Sequence, residues 1–258
     1  MSINNNSKLA IVIPSCDKYS DLWNILISQI KINFKDIKIT KYIVCNSSPK
    51  KSPIDLEYIN VGVDLGWSTN LINALEHVKE QYIFLWIDDL ILTSFVDTKL
   101  FENILNTFIF ENGNYLRLNN VPKSNKNYNN YYGLIDSKAL YRTSTVMSIW
   151  NKDVLKDLLV HGENAWEFEI KGSMRSIKYD KFFVSYESIF NFSNAVIKGK
   201  WNQKIKYKLI HEHGYYISDT RPSMTQMEQL NYDLKLIATA IYYRLYNFYL
   251  KINYTKLF

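Results

Sequence analysis

Two adjacent carboxylates, Asp88 and Asp89, close the apolar run Tyr82-Ile83-Phe84-Leu85-Trp86-Ile87 before apolar residues resume at Leu90. A run of that length and β-branched or aromatic content predicts a strand buried on both faces. Ionised carboxylates at its end are costly to bury alone, so a cation is expected to meet them. In an α/β sheet ligands gather at the carboxyl ends of strands, where a hard divalent cation bridging to phosphate oxygens suits an acidic pair. The competing expectation is structural: Asp88 begins a turn and Asp89 caps a helix. A second acidic group follows Gly162 in the order Glu163, Glu167, Glu169, interleaved with Trp166 and Phe168. On a helix, Glu163 and Glu167 share a face at i, i+4 while Glu169 points elsewhere. Acids also collect at helix N-termini for their charge alone. A third group is His211-Glu212-His213, whose two imidazoles would point the same way on a strand.

The elements that must carry these groups read as strands alternating with helices. Leu9–Ile13 is an expected strand stopped by Pro14, with Ser15, Cys16, Asp17 and Lys18 in the loop behind it. Asp21 would cap an amphipathic helix bearing Leu22, Ile25, Leu26 and Ile30. Strands are expected over Tyr42–Cys45 and Tyr58–Val61, the first followed by a turn-rich run from Asn46 to Pro53. A Gly-rich loop from Gly62 to Ser68 leads to a helix from Thr69 to about Lys79. Beyond the acidic pair, Phe101–Asn114 reads as helix and Tyr115–Leu118 as strand, with Arg117 facing away from its flanking leucines. Asn119–Tyr132 reads as a surface loop, Tyr141–Trp150 as a strand and Asp153–Val160 as a helix. This order predicts an α/β chain with a mostly parallel central sheet and helices on both faces.

Composition agrees. The 258 residues are 47% hydrophobic and 22% charged, enough for a substantial core. Cys16 and Cys45 fit neither a disulfide framework nor a zinc site, which points to a reducing, cytoplasmic setting. No basic-then-apolar leader and no apolar run near the ~20 residues that span a bilayer is present, so a soluble or membrane-peripheral protein is expected. The net charge of +6 favours anionic ligands. The last stretch, Gln226–Phe258, is helical in pattern, with Leu234, Ile237, Ile241, Leu245 and Phe248 at helical spacing among tyrosines and Arg244 and Lys251. It fits a membrane-interface helix, packing on the rest of the chain, or a twin subunit in a homodimer.

The strand with its Pro-Ser loop, the Gly-rich loop feeding Asn70-Leu-Ile-Asn-Ala-Leu75, and the apolar strand ending in Asp-Asp resemble the nucleotide-sugar-binding half of the A-type glycosyltransferase fold. Ser15–Trp23, Leu85–Asp97, Asn114–Leu118 and Gly162–Ser176 further resemble a bacterial glycosyltransferase family of capsule and lipopolysaccharide assembly. The likeness spans roughly residues 9 to 200. It implies a catalytic domain over residues 1–215 with a helical extension over 216–258. It also implies transfer of a sugar from a nucleoside diphosphate sugar to a glycan or lipid-linked glycan in the cytoplasm or at the inner membrane face, without nucleic acid. Mg²⁺ or Mn²⁺ would sit on Asp89, with His211 or His213 completing the metal shell, although Ile87 stands where a strict Asp-x-Asp has its first acid. Ser15, Asp17, Asp64, Trp67, Ser68 and Asn70 would face the nucleotide, and Asp88 would face its ribose or the metal's water. Asp17 could instead cap a helix, and Trp67 could instead be core. An inverting transfer needs a carboxylate to deprotonate the acceptor hydroxyl, which the resemblance assigns to Glu167 first, then Glu163 or Glu169. Two other classes stay open. A nucleotidyltransferase would share the sheet but carry a Gly-rich basic loop after the first strand, and Pro14–Ser20 holds no Gly. A non-catalytic glycan- or membrane-binding protein would use these acids structurally.

Overall fold

The computed structural model describes residues 8–35, 37–49, 56–124 and 126–254, with side chains to Tyr242. The end of the turn-rich run at Pro53 and the side chains of Leu245, Phe248 and their neighbours therefore lie outside the described residues. The chain forms two compact units, one of Met1–Asn120 with Ser124–Phe192, the other of Val121–Lys123 with Ser193–Phe258.

The larger unit is built on a nine-stranded sheet. Its strands are β1 (Leu9–Ile13), β2 (Thr40–Cys45), β3 (Glu57–Asn60), β4 (Tyr82–Leu85), β6 (Tyr115–Arg117), β7 (Lys126–Asn127), β8 (Tyr132–Leu134), β9 (Ser148–Asn151) and β10 (Phe182–Ser185), with a short β5 (Leu90–Leu92) outside it. Their order is β3-β2-β1-β4-β9-β6-β10-β8-β7. The first four are parallel, with Ala10 opposite both Thr40 and Ile83. β9 runs against β4 and β6, and β8 against β10 and β7. Strands β1 and β4 are buried along their whole length, as unbroken apolar runs in a covered sheet should be.

The helices are α1 (Ser20–Asn33), α2 (Trp67–Leu75), α3 (Thr98–Phe110) and α4 (Lys152–Leu158). One sheet face, through Ala10, Val12, Ile83 and Leu85, meets Leu71 and Leu75 of α2 and Leu155 and Leu158 of α4 in a single buried cluster. The alternate residues point the other way, where Phe84 lies 6.3 Å from Phe34 and 5.9 Å from Phe101 of α3. A last helical segment comprises α5 (Ala165–Glu167), a π-helical stretch Phe168–Gly172, α6 (Ser173–Arg175) and a 3₁₀ turn Ser176–Lys178.

Two expectations are corrected. Tyr141–Trp150 forms a strand only from Ser148, because Thr143, Ser144 and Thr145 bond instead to the helical segment. The Thr143 amide donates to Ser173 Oγ and the Thr145 amide to Glu169 Oε1, satisfying backbone that a ladder would otherwise claim. The supposed loop Asn119–Tyr132 contains β7 and leads straight into β8. Asn129 Oδ1 accepts from the amides of Tyr131 and Tyr132 and so folds the turn between them.

The smaller unit holds the end of β11 (Phe192–Asn194), a hairpin of β12 (Val196–Ile197) and β13 (Lys200–Trp201), α7 (Gln203–His211) and α8 (Gln226–Tyr254). Asn202 caps α7 by accepting from the amides of Lys204 and Ile205. Lys200, Lys204 and Lys206, part of a lysine-rich run, pair with Glu228, Asp233 and Asp219. The helical tail expected from the sequence is present, with Leu234, Ile237 and Ile241 exposed along it. Among the described residues no helix is long and apolar enough to cross a membrane.

Candidate functional site

The expected nucleotide-side residues follow the carboxyl ends of three of the four parallel strands, β1, β3 and β4. β4 ends at Leu85, the Trp86 amide still donates to the Val12 carbonyl, and Ile87–Leu90 then closes a turn with Asp88 and Asp89 at its centre. The acidic pair thus lies in a turn, and Asp89 caps no helix, since β5 follows it. Asp88 is 6% exposed and accepts from Ser15 Oγ at 2.6 Å. That hydroxyl in turn accepts from Trp23 Nε1 at 2.8 Å, so α1 aims the loop after β1 at the turn after β4. Asp89 is half-buried beside it.

Asp17 caps neither the 3₁₀ turn it opens nor α1. Its carboxylate accepts from the amides of Asn46 (2.9 Å) and Ser47 (3.2 Å) and from the Ser47 hydroxyl, joining the loops after β1 and β2. Desolvation pushes its pKa up, but the bonds from Ser47 and Asn46 outweigh it and hold the carboxyl below the ordinary value. Asn46 extends the chain of contacts by donating to the Gly62 carbonyl beyond β3. The Cys16 thiol is pushed up by burial first and then, against the Lys18 amide, by the nearby charges of Asp88 and Asp64.

Asp64 Oδ1 accepts from the Gly66 amide and from Asn70 Nδ2, while Asn70 Oδ1 accepts from the Leu65 amide. Gly66, at φ 91°, takes a conformation open to glycine and lets the chain turn sharply into α2. Trp67 packs 5.5 Å from Phe168 against the core. Its Nε1 and the Ser68 hydroxyl are buried without a hydrogen-bond partner among the described residues.

The three acids of the 163–169 run have separate surroundings. Glu163 is buried and bound end-on by both terminal nitrogens of Arg175, with Nη1–Oε1 at 2.9 Å and Nη2–Oε2 at 2.6 Å. Its carbonyl accepts from the Ser68 amide, docking the turn on the start of α2. Glu167 closes a capping box with Asn164 and pairs with Lys171 at 3.0 Å. The Asn164 amide, and then Lys171, hold its carboxyl below the ordinary value. Glu169 Oε1 accepts from the Thr145 amide (2.7 Å), Ser144 Oγ (2.9 Å) and Thr145 Oγ1 (3.0 Å). Its Oε2 has no partner among the described residues. Thr145 lies three residues before Ser148, and Ser148 pairs with Leu85, three residues before Asp88. Register thus brings Glu169 to the same edge as the acidic pair, from the π-helical stretch, a departure frequent at functional sites. Ser144 and Thr145 were not among the expected site residues; the polar triplet Thr143-Ser144-Thr145 inside an apolar run was the available signal. Arg117 is buried, with Nε to Tyr115 Oη at 3.4 Å and a further bond to the Tyr141 carbonyl.

His211 and His213 belong to the smaller unit. His211 ends α7 and His213 lies in the turn after it, so strand alternation does not align them. The helix forms because Asn202 starts it, and His211 stacks 4.3 Å from Tyr207, one turn back. Among the described residues no three His, Cys, Asp or Glu side chains form a metal-holding group. A cation on Asp89 would accordingly draw its other oxygen ligands from phosphate and water, the arrangement Mg²⁺ favours.

No protein-family model matches this chain, and no curated protein matches it. Solved structures do. S. aureus TarS 1-349 in complex with UDP has a TM-score of 0.51 at 11% identity, over 72% of this chain and 59% of that one. The mannosyltransferase PcManGT from Pyrobaculum calidifontis, in complex with GDP-Man and Mn²⁺, has a TM-score of 0.46 at 10% identity, over 80% and 61%. The bifunctional IspDF from Campylobacter jejuni has a TM-score of 0.46 at 14% identity, over 78% and 54%. This chain spans less than two thirds of each of these proteins. The likeness, the strand order and the covered, mostly parallel sheet establish the fold of this chain as that of the A-type glycosyltransferases.

Proposed function

We propose that this chain transfers a sugar from a nucleoside diphosphate sugar to a hydroxyl of an acceptor glycan. The observation that carries the reading is that the Ser15–Asp88–Asp89 turn and the anchored Glu169 carboxylate lie along the same edge of the sheet. The UDP complex of the similar TarS structure supports a nucleotide ligand for this fold. The nucleotide would lie along the loops after β1, β2 and β3, near Ser15, Asp17, Asp64 and Asn70. Asp89 would hold Mg²⁺ or Mn²⁺, which when bound supplies positive charge to the departing diphosphate. Asp88, fixed by Ser15, positions the turn that presents Asp89.

Glu169 is the base this geometry favours among the three acids. Three donors on Oε1 fix its orientation and leave Oε2 to take the acceptor's proton as the hydroxyl attacks the anomeric carbon. Glu163 is occupied by Arg175 and Glu167 by its cap and Lys171. Attack from the face opposite the diphosphate would invert the anomeric centre. The resemblance of Ser15–Trp23, Leu85–Asp97, Asn114–Leu118 and Gly162–Ser176 to capsule and lipopolysaccharide glycosyltransferases suggests a surface-glycan acceptor.

Thermal shift with UDP, GDP, CDP and dTDP, each with and without Mn²⁺, tests donor binding, since a ligand of the native state raises its apparent stability. One diphosphate should shift the melting temperature, more so with the metal. Slow release of that diphosphate from its sugar ester should follow. Absence of any shift would remove the nucleotide, and pyrophosphate release from a nucleoside triphosphate and a sugar phosphate would transfer the chain to the nucleotidyltransferases.

A further inference from the structure

A cavity of about 430 Å³ lies at the amino end of β10, the opposite edge of the sheet from Asp88. Its wall carries four cations, Lys126, Arg142, Lys178 and Lys181, against Asp136 and Asp180. Lys178 is paired with Asp157 at 2.5 Å and Lys181 donates to the Glu111 carbonyl, which leaves Lys126 and Arg142 to the cavity. Arg142 is 2% exposed and lies 4.0 Å over the Phe182 ring. Its Nη1 donates to the carbonyl and hydroxyl of Ser176, and its Nη2 to the Tyr179 carbonyl. Nε has no partner, and among the described residues no carboxylate pairs with this guanidinium. Burial pulls its pKa down to about 10, against the pull of Asp136 and Asp180, so it is cationic at neutral pH. With no carboxylate paired directly to it, this buried cation is only partly compensated by Asp136 and Asp180, and an anion in the cavity would offset the remaining cost.

A second cavity, about 290 Å³, adjoins the first through Ser137 and Ile177 and is lined by Leu140, Tyr141, Ile170 and Met174. Ile170, Met174 and Ile177 recur on one face of the helical segment and are 47%, 68% and 52% exposed, with Leu140 81% exposed across from them. A contiguous exposed apolar patch of this kind marks a binding surface. A free phosphate would leave it bare, whereas an uncharged lipid would leave Arg142 uncompensated.

We propose that the two cavities form one site for an anionic amphiphile, a phosphate monoester of an apolar chain. The phosphate lies beside Arg142 and Lys126, and the chain runs along Leu140, Ile170, Met174 and Ile177. The site is separate from the acidic edge and independent of the sugar-transfer reading.

Calorimetric titration of the whole chain with decyl phosphate below its micelle concentration, with inorganic phosphate and with decanol, tests this. Decyl phosphate should bind at a single site, at least about tenfold more tightly than either comparison ligand, the difference one charge-assisted contact or a short buried chain supplies. Met174→Glu and Lys126→Glu, both at exposed positions, should each weaken binding by about tenfold without moving the melting temperature. No binding of decyl phosphate, equal binding of decanol, or indifference to both variants would overturn the proposal. Inorganic phosphate binding as tightly and unaffected by Met174→Glu would equally remove the apolar arm and overturn it.

Discussion

The two halves of the sheet reach the same edge by different means. In the parallel half, β3-β2-β1-β4, each polar residue departs directly from a strand's carboxyl end: Ser15 after β1, Asn46 after β2, Asp64 after β3, Asp88 after β4. Neighbouring loops are then tied by short hydrogen bonds, Ser15 to Asp88 and Asp17 to Asn46. In the mixed half β9 runs the other way, so the edge is reached by its incoming connection, and Glu169 arrives from a helical segment laid over the sheet face. Backbone register positions the first set; side-chain hydrogen bonds to Ser144 and Thr145 position the second. A set held by register should lose chemistry, not fold, when one residue changes. A set held by side chains should be more easily lost along with its anchors.

The largest effect is expected at Asp89. Asp89→Asn should lower sugar transfer by about 10³-fold, several kcal/mol of lost charge stabilisation at the diphosphate, with the melting temperature kept. Full activity in this variant, or in EDTA, would remove the cation from the mechanism. Next comes Glu169→Gln, which retains the bonds from Thr145 but cannot accept a proton. Transfer should fall by about 10²-fold or more while diphosphate binding survives. Glu167→Gln should stay within a few-fold; the reverse ranking would move the base to the capping position.

Stability of the mixed half should depend on the Glu163–Arg175 pair. Glu163→Ala leaves a partly buried guanidinium uncompensated and should cost about 2–3 kcal/mol in urea unfolding, somewhat below the range for fully buried pairs because Arg175 is partly exposed. The double variant with Arg175→Ala should cost less than the sum of the singles, and simple additivity would show that the two groups act independently.

A smaller effect concerns Asp17 in the parallel half. Its folded pKa lies below the unfolded value, so its contribution is complete above the ordinary 3.8 and is lost as pH falls through the folded value. Asp17→Asn should therefore flatten the acid limb of the stability curve below about pH 4 and leave its neutral part nearly level. An acid limb identical to that of the parent chain would show that the loop bonds add nothing to stability.

Much of the parallel half was legible in the chain. Unbroken apolar runs, Pro14 after β1 and Gly66 before α2 are local signals, and local signals decide where strands and helices start and stop. The strand ending in Asp88–Asp89 was readable for the same reason. Less was readable around the acids of residues 163–169. Their spacing suggested a shared helix face for Glu163 and Glu167, yet Glu163 turned to Arg175 and Glu167 to its own cap. Glu169 gained its anchors from residues more than twenty positions earlier. The histidines were misread because Asn202 starts a helix where alternation suggested a strand.

The sequence by itself determined the α/β order, the covered parallel strands and the acidic strand end, since burial on both faces demands apolar runs and carboxylates must leave them. Only the tertiary structure decided the reversed course of β9, the separation of the three glutamates and the burial of Arg142 beside an exposed apolar groove. Those depend on which distant donors and acceptors meet, and a buried polar group takes whichever partner the packed chain brings within reach.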